Sequence, residues 1–112
     1  MRTLLVSLLL LLGACAAEVS PYFSVVREPV PGGTRLRLEP APGVRINAQQ
    51  KPALERPDST VLRFDSPALT ADSAYFTAPP ELVVSGSARG RLVASICPAG
   101  EFVCKAEILT LR

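Results

Sequence analysis

Apolar and polar residues alternate with a period of two in several short stretches of the chain. Leu36 and Leu38 are interleaved with Arg35, Arg37 and Glu39; Val44 and Ile46 flank Arg45; Leu62 and Phe64 stand between Val61, Arg63 and Asp65. That period puts one residue set on each face of an extended strand, so it predicts half-buried strands. The pattern places strands at Val25–Glu28, Thr34–Glu39, Val44–Asn47, Thr60–Asp65, Glu81–Ser85, Gly90–Cys97 and Phe102–Leu111. Pro31-Gly32-Gly33 and Pro42-Gly43 punctuate them as turns, and residues 48–59 and 66–80 read as connectors. All 11 prolines fall between Pro21 and Pro98, a density hostile to helices. The expected fold is all-β: a single antiparallel β-sandwich of about seven strands. Its expected core is Leu36, Leu38, Ile46, Leu62, Phe64, Leu82, Val84, Leu92, Ala94, Ile96 and Ile108.

The N-terminal stretch breaks this pattern. Arg2 precedes an apolar block, Leu4–Leu12, interrupted only by Ser7, and Gly13-Ala14-Cys15-Ala16-Ala17 follows. A short positive start, an apolar block and small residues make a secretory signal. The block falls short of the roughly 20 apolar residues a transmembrane helix needs. Leu12-Gly13-Ala14-Cys15 is similar to the bacterial lipobox, in which the Cys is diacylated and becomes the new N-terminus. Plain secretion, with Ala14 and Ala16 as an A-x-A cleavage site, is the competing reading. The expected organisation is thus a lipoprotein signal peptide over 1–14, a tether over 15–21 and one domain over 22–112. The expected membrane partner is the bilayer, held through a lipid on Cys15, since several acyl chains anchor stably where one does not. Ala16 after the Cys points to the periplasmic face of the outer membrane within the cell envelope.

The chain has three cysteines. With Cys15 assigned to lipid, Cys97 and Cys104 have only each other, and an oxidising compartment permits a bond. Hairpin arithmetic resists it. Pro98-Ala99-Gly100 suits a three-residue turn that pairs Cys97 with Glu101. Ile96, Ala94, Leu92 and Gly90 then face Phe102, Cys104, Ala106 and Ile108, and Arg91 faces Glu107, but the two Cys fall on opposite faces. Pairing 97 with 104 instead sets Ala94 against Glu107. The expectation is a Cys97–Cys104 disulfide made possible by a bulge or irregular loop between Pro98 and Val103, with Leu92, Ala94 and Ile96 still inward.

Two segments carry a family resemblance. Gly43-Val44-Arg45-Ile46-Asn47 with Lys51-Pro52 resembles a stretch of the N-terminal, immunoglobulin-like domain of the periplasmic thiol:disulfide interchange protein (DsbD type). Leu82-Val83-Val84 through Gly86, Leu92-Val93-Ala94-Ser95-Ile96-Cys97 and Phe102-Val103-Cys104 resemble its cysteine-bearing hairpin. The resemblance implies an immunoglobulin-like sandwich whose two Cys exchange disulfides, Cys104 as the attacking thiol and Cys97 as its resolving partner. It also implies an aromatic cap over the sulfurs, for which Phe64, Tyr75 and Phe76 are the candidates; ordinary core aromatics are the simpler reading.

Composition narrows the chemistry. The chain has no His, so no Ser-His-Asp triad, Cys-His dyad or His-ligated metal site can form. A formal charge of +2 without a basic run provides no footprint for nucleic acid. Asp58, Asp65 and Asp72, seven apart, fit no calcium loop and read as solvated charges; Arg35 and Arg37 read as the outward face of a strand. No cofactor or metal is expected, and no motif joins Lys51 to a serine as a hydrolase would need. The remaining readings are a disulfide-stabilised interaction module for an unknown envelope protein partner, or a thiol–disulfide exchange partner. In the second, Lys105 beside Cys104 would favour the thiolate.

Overall fold

The computed structural model describes residues 18–112, and within them every regular element is a strand. Cys15, the residue expected to carry lipid, lies outside the described residues. Nine strands form two antiparallel sheets: β1 (Glu18–Val19), β2 (Phe23–Val30), β3 (Gly33–Pro40), β4 (Val44–Ile46), β5 (Ala53–Glu55), β6 (Val61–Arg63), β7 (Glu81–Val84), β8 (Gly90–Pro98) and β9 (Lys105–Leu111). Sheet I has the order β1-β2-β3-β7. In sheet II, β8 is central: β9 pairs along one edge, and β4 and β5 share the other, with β6 outside β5. The expected all-β sandwich is what the chain forms.

Period-two alternation accounts for how the layers meet. Phe23 and Val25 of β2, Leu36 and Leu38 of β3 and Val84 of β7 turn inward from sheet I. Ile46, Leu54, Leu92, Ala94, Ile96 and Leu111 meet them from sheet II, and all are buried. Phe64, just past β6, is fully buried and donates its N–H to the Pro52 carbonyl. Leu62 and Leu82 pack against this core half-buried. The β2–β3 hairpin closes through Pro31-Gly32, with Val30 paired to Gly33. Pro at the first central position and a positive φ of 84° at Gly32 match a type II turn, whose second position excludes most side chains. Gly33 has a different reason: a Cβ there would collide with the Val84 carbonyl of β7.

Three features depart from the sequence reading. Ile108, expected in the core, is 51% exposed, and Leu111 takes the buried place on β9. Ala53–Glu55, inside the stretch read as a connector, is a strand whose Leu54 is fully buried. Glu18–Val19, in the stretch read as a tether, pairs with Ser24 and Val25 as β1.

β4 and β5 are two pieces of one interrupted strand. Ile46 pairs with Ile96, and the next registered pair is Ala53 with Val93. Residues 47–52 therefore stand opposite only Ala94 and Ser95, and the excess is thrown out of the sheet. Asn47 stabilises the excursion: its N–H donates to the Ser95 carbonyl, and its Oδ1 accepts from the N–H groups of Gln49 and Gln50. This is an Asx turn.

Candidate functional site

A disulfide joins Cys97, at the end of β8, to Cys104, immediately before β9, with the Cα atoms 4.2 Å apart. The expected bond is present, and of the two expected routes the chain takes the irregular loop, in the register that apolar matching disfavoured. From Gly90↔Leu111 to Ile96↔Lys105 the β8–β9 ladder keeps one continuous register, and the next pair in that register is Cys97 with Cys104. No bulge interrupts it. The turn is instead a longer loop over 99–104, in which Ala99 N–H donates to the Gly43 carbonyl and Glu101 N–H to the Pro98 carbonyl. Phe102 and Val103, expected in the last strand, lie in this loop, Phe102 fully exposed and Val103 71% exposed.

The register does place Glu107 opposite Ala94 and Lys105 opposite Ile96, on the inward side. β9 tolerates this because it is an edge strand, where inward charges can reach solvent past the rim of the facing sheet. Lys105 does so by laying its ammonium over the Tyr22 ring, 4.5 Å from the centroid. Tyr22 pushes the Lys105 pKa up, with the nearby Glu101 and Glu107 carboxylates adding to the effect. Alternation along the strand thus puts Lys105 and Cys104 on opposite faces, and Lys105 is engaged elsewhere.

The cation beside Cys97 on the sulfurs' own face is Arg45. It is the Cα partner of Cys97 on β4, and its guanidinium stacks 4.0 Å above the Tyr75 ring. Tyr75 reaches this position because the segment around it pairs with the outer edge of β4: Phe76 N–H donates to the Ile46 carbonyl and Ala48 N–H to the Ala74 carbonyl. Of the three candidate cap aromatics, only Tyr75 shares the outer face with the disulfide. Phe64 is in the core and Phe76 packs against it.

The two sulfurs differ in access. Cys97 is 2% exposed, flanked by β4 on one side and Cys104 on the other. Cys104 is half-buried and has no strand beyond it. An incoming thiolate would meet Cys104 first.

On the outer face of sheet II, directly beyond the disulfide, Ser95 pairs with Ala106 and Val93 with Ile108. Here the excursion at 47–52 forms one wall of an open trough of about 560 Å³, with Val93, Ser95, Ala53 and Ala106 as its floor. Lys51 at the wall is held by Asp65, Nζ–Oδ2 2.9 Å, and Glu55 is held by Arg91, Nε–Oε1 3.0 Å. Neither the trough nor the place of Arg45 beside the disulfide was legible in the sequence; the detectable signal was Gly43–Asn47 followed by Lys51-Pro52, which marks the break between β4 and β5.

The other charges singled out in the sequence are structural. Asp58 accepts from the Thr60 N–H and Asp72 from the Thr70 hydroxyl and the Ala74 N–H. At Asp58 the Thr60 side chain, more than its N–H, and at Asp72 the Thr70 hydroxyl and the Ala74 N–H hold the carboxyls below their usual range, and each set steadies a turn with a serine at positive φ, Ser59 and Ser73. Arg35 pairs with Glu28 and Glu81, and Arg37 with Glu39. Among the described residues, no three His, Cys, Asp or Glu side chains come together to hold a metal ion. Compared with known proteins, the chain matches no family model, no curated protein and no solved structure.

Proposed function

We propose that this chain is a lipid-anchored protein of the bacterial cell envelope whose DsbD-like, immunoglobulin-like sandwich serves as a disulfide-stabilised interaction module. The observation that carries this reading is the outer face of sheet II. It is half-apolar, uncovered by any other element among the described residues, and pinned at one end by the Cys97–Cys104 bond. An open sheet face of this kind binds through side-chain complementarity and needs no catalytic group. Leu12-Gly13-Ala14-Cys15 supports anchoring through an acylated Cys15, and Ala16 supports placement on the periplasmic face of the outer membrane.

The test is a photocrosslinking residue in place of Ala106, compared in living cells with one in place of Arg37 on the outer face of sheet I. The module reading expects a discrete crosslinked partner from position 106 and none from position 37. Equal, diffuse crosslinking from both would overturn it.

A second reading, thiol–disulfide exchange with Cys104 attacking and Cys97 resolving, is favoured by the greater exposure of Cys104. A redox titration of the pair separates the two: a structural bond sits below roughly −300 mV, and an exchange-competent one well above it.

A further inference from the structure

The trough on sheet II has a shape and a charge that say more about its occupant. Its lining comes from β6, β5, β8 and β9 in turn, through Arg63, Ala53, Val93 and Ala106. It therefore crosses the strands, over three inter-strand spacings, or about 14 Å. That is the length of roughly four residues of extended polypeptide at about 3.3 Å each. The floor is apolar except for the Ser95 hydroxyl, and Ile108 and Val61 extend it at the two ends, 51% and 48% exposed.

The polar groups are sorted by whether they are already in use. Glu55 is paired with Arg91 and Lys51 with Asp65. Arg63 has no carboxylate within ion-pairing distance among the described residues, so the trough holds one uncommitted charge, and it is positive. At the wall, the backbone N–H groups of Gln49 and Gln50 are taken by Asn47. Their exposed side-chain amides can each donate to and accept from a peptide backbone.

We infer that this trough binds an extended, acidic segment of a partner protein, about four residues long, with apolar side chains on the floor and a carboxylate at Arg63. The inference rests on the interaction-module reading and specifies its partner. A carboxylate matches the Arg fork bidentately, and the two glutamine amides read the extended backbone.

The experiment uses the full chain in nonionic detergent with the disulfide oxidised, and two fluorescein-labelled hexapeptides as probes, one alternating Leu and Glu, the other Leu and Lys. Fluorescence anisotropy should show tighter binding of the Glu peptide, weakening as salt is raised. Arg63→Gln should weaken it about threefold and Arg63→Glu about tenfold, the latter reversing the preference toward the Lys peptide. Arg63 is exposed, so these variants keep the fold. Ala106→Arg, which fills the floor from an exposed position, should abolish binding of both probes.

Equal affinity for the two peptides, or a preference unchanged by Arg63→Glu, would overturn the inference. So would self-association abolished by Ala106→Arg, which would assign the face to a second copy. If neither peptide binds while crosslinking from position 106 persists, this inference fails and the module stands. If the Glu peptide binds but no crosslink forms in cells, the trough is selective and the module reading fails.

Discussion

Replacing each cysteine by serine should have unequal consequences. The bond closes a loop with a sequence separation of 7, for which the loop-entropy relation assigns about 2.5 kcal/mol of stabilisation. Cys104→Ser should cost about that amount, since a hydroxyl at this half-buried position can still reach water. Cys97→Ser loses the same constraint and adds a second cost. Cys97 is 2% exposed, so the serine hydroxyl would sit at a site closed to solvent, at a further cost of about 1–3 kcal/mol if unpaired. In a domain whose total stability is of order 5–15 kcal/mol, the difference is measurable. The assay is urea unfolding followed by far-ultraviolet circular dichroism, because the chain has no Trp. Wild-type protein kept reduced should unfold close to Cys104→Ser, and alkylation of that reduced protein should label Cys104 before Cys97. Two variants equally destabilised, or both losing under about 1 kcal/mol, would refute the reasoning: the first would deny the burial asymmetry, and the second the constraint itself.

Other expectations address the register, the pH dependence and the anchor. Ile108→Asp should change stability by less than about 1 kcal/mol and leave the fold intact, whereas Leu111→Ala should cost about 2–5 kcal/mol; the opposite order in urea unfolding would restore the alternative register. Phe64→Ala, emptying a fully buried aromatic site, should cost about 3–5 kcal/mol by the same measurement. Burial pushes the Glu18 carboxyl up, but hydrogen bonds from Arg27 and the Arg112 N–H outweigh it and hold it below its ordinary value of 4.5. A folded-state value below the unfolded one stabilises above that pH and is lost as pH falls through the depressed value, so Glu18→Gln should lower stability at neutral pH and flatten its decline below about pH 4.5. Cys15→Ala should release the protein from membranes or stall its processing; a mature N-terminus at Ala17 or Glu18 with no lipid mass would rule out the anchor.

The hairpin shows where pattern reasoning stopped working. Matching apolar to apolar residues across β8 and β9 favoured pairing Cys97 with Glu101, because it treats every inward position as equally costly for a charge. The rule holds for β8, a central strand with its inward residues sealed, and there Leu92, Ala94 and Ile96 were legible from alternation. It fails for β9, where Lys105 and Glu107 point inward at an edge and escape to solvent. Ile108 was misplaced for the same reason. Ala53–Glu55 was not legible because three residues, two of them adjacent and apolar, carry no period; Leu54 is buried by the neighbours β8 and β6 supply.

Alternation and proline punctuation, both local in the chain, were enough to determine an antiparallel sandwich and most of its core. Local propensity and burial agree there, and each strand states its own faces. Which residues share the outer face of sheet II was settled only by the tertiary structure. The register of an edge strand, the break between β4 and β5, and the meeting of Arg45, Tyr75 and Cys97 depend on contacts between segments far apart in sequence. Local pattern constrains such contacts weakly, because a one-residue slip exchanges the faces of a strand and only packing against the rest of the molecule selects between them.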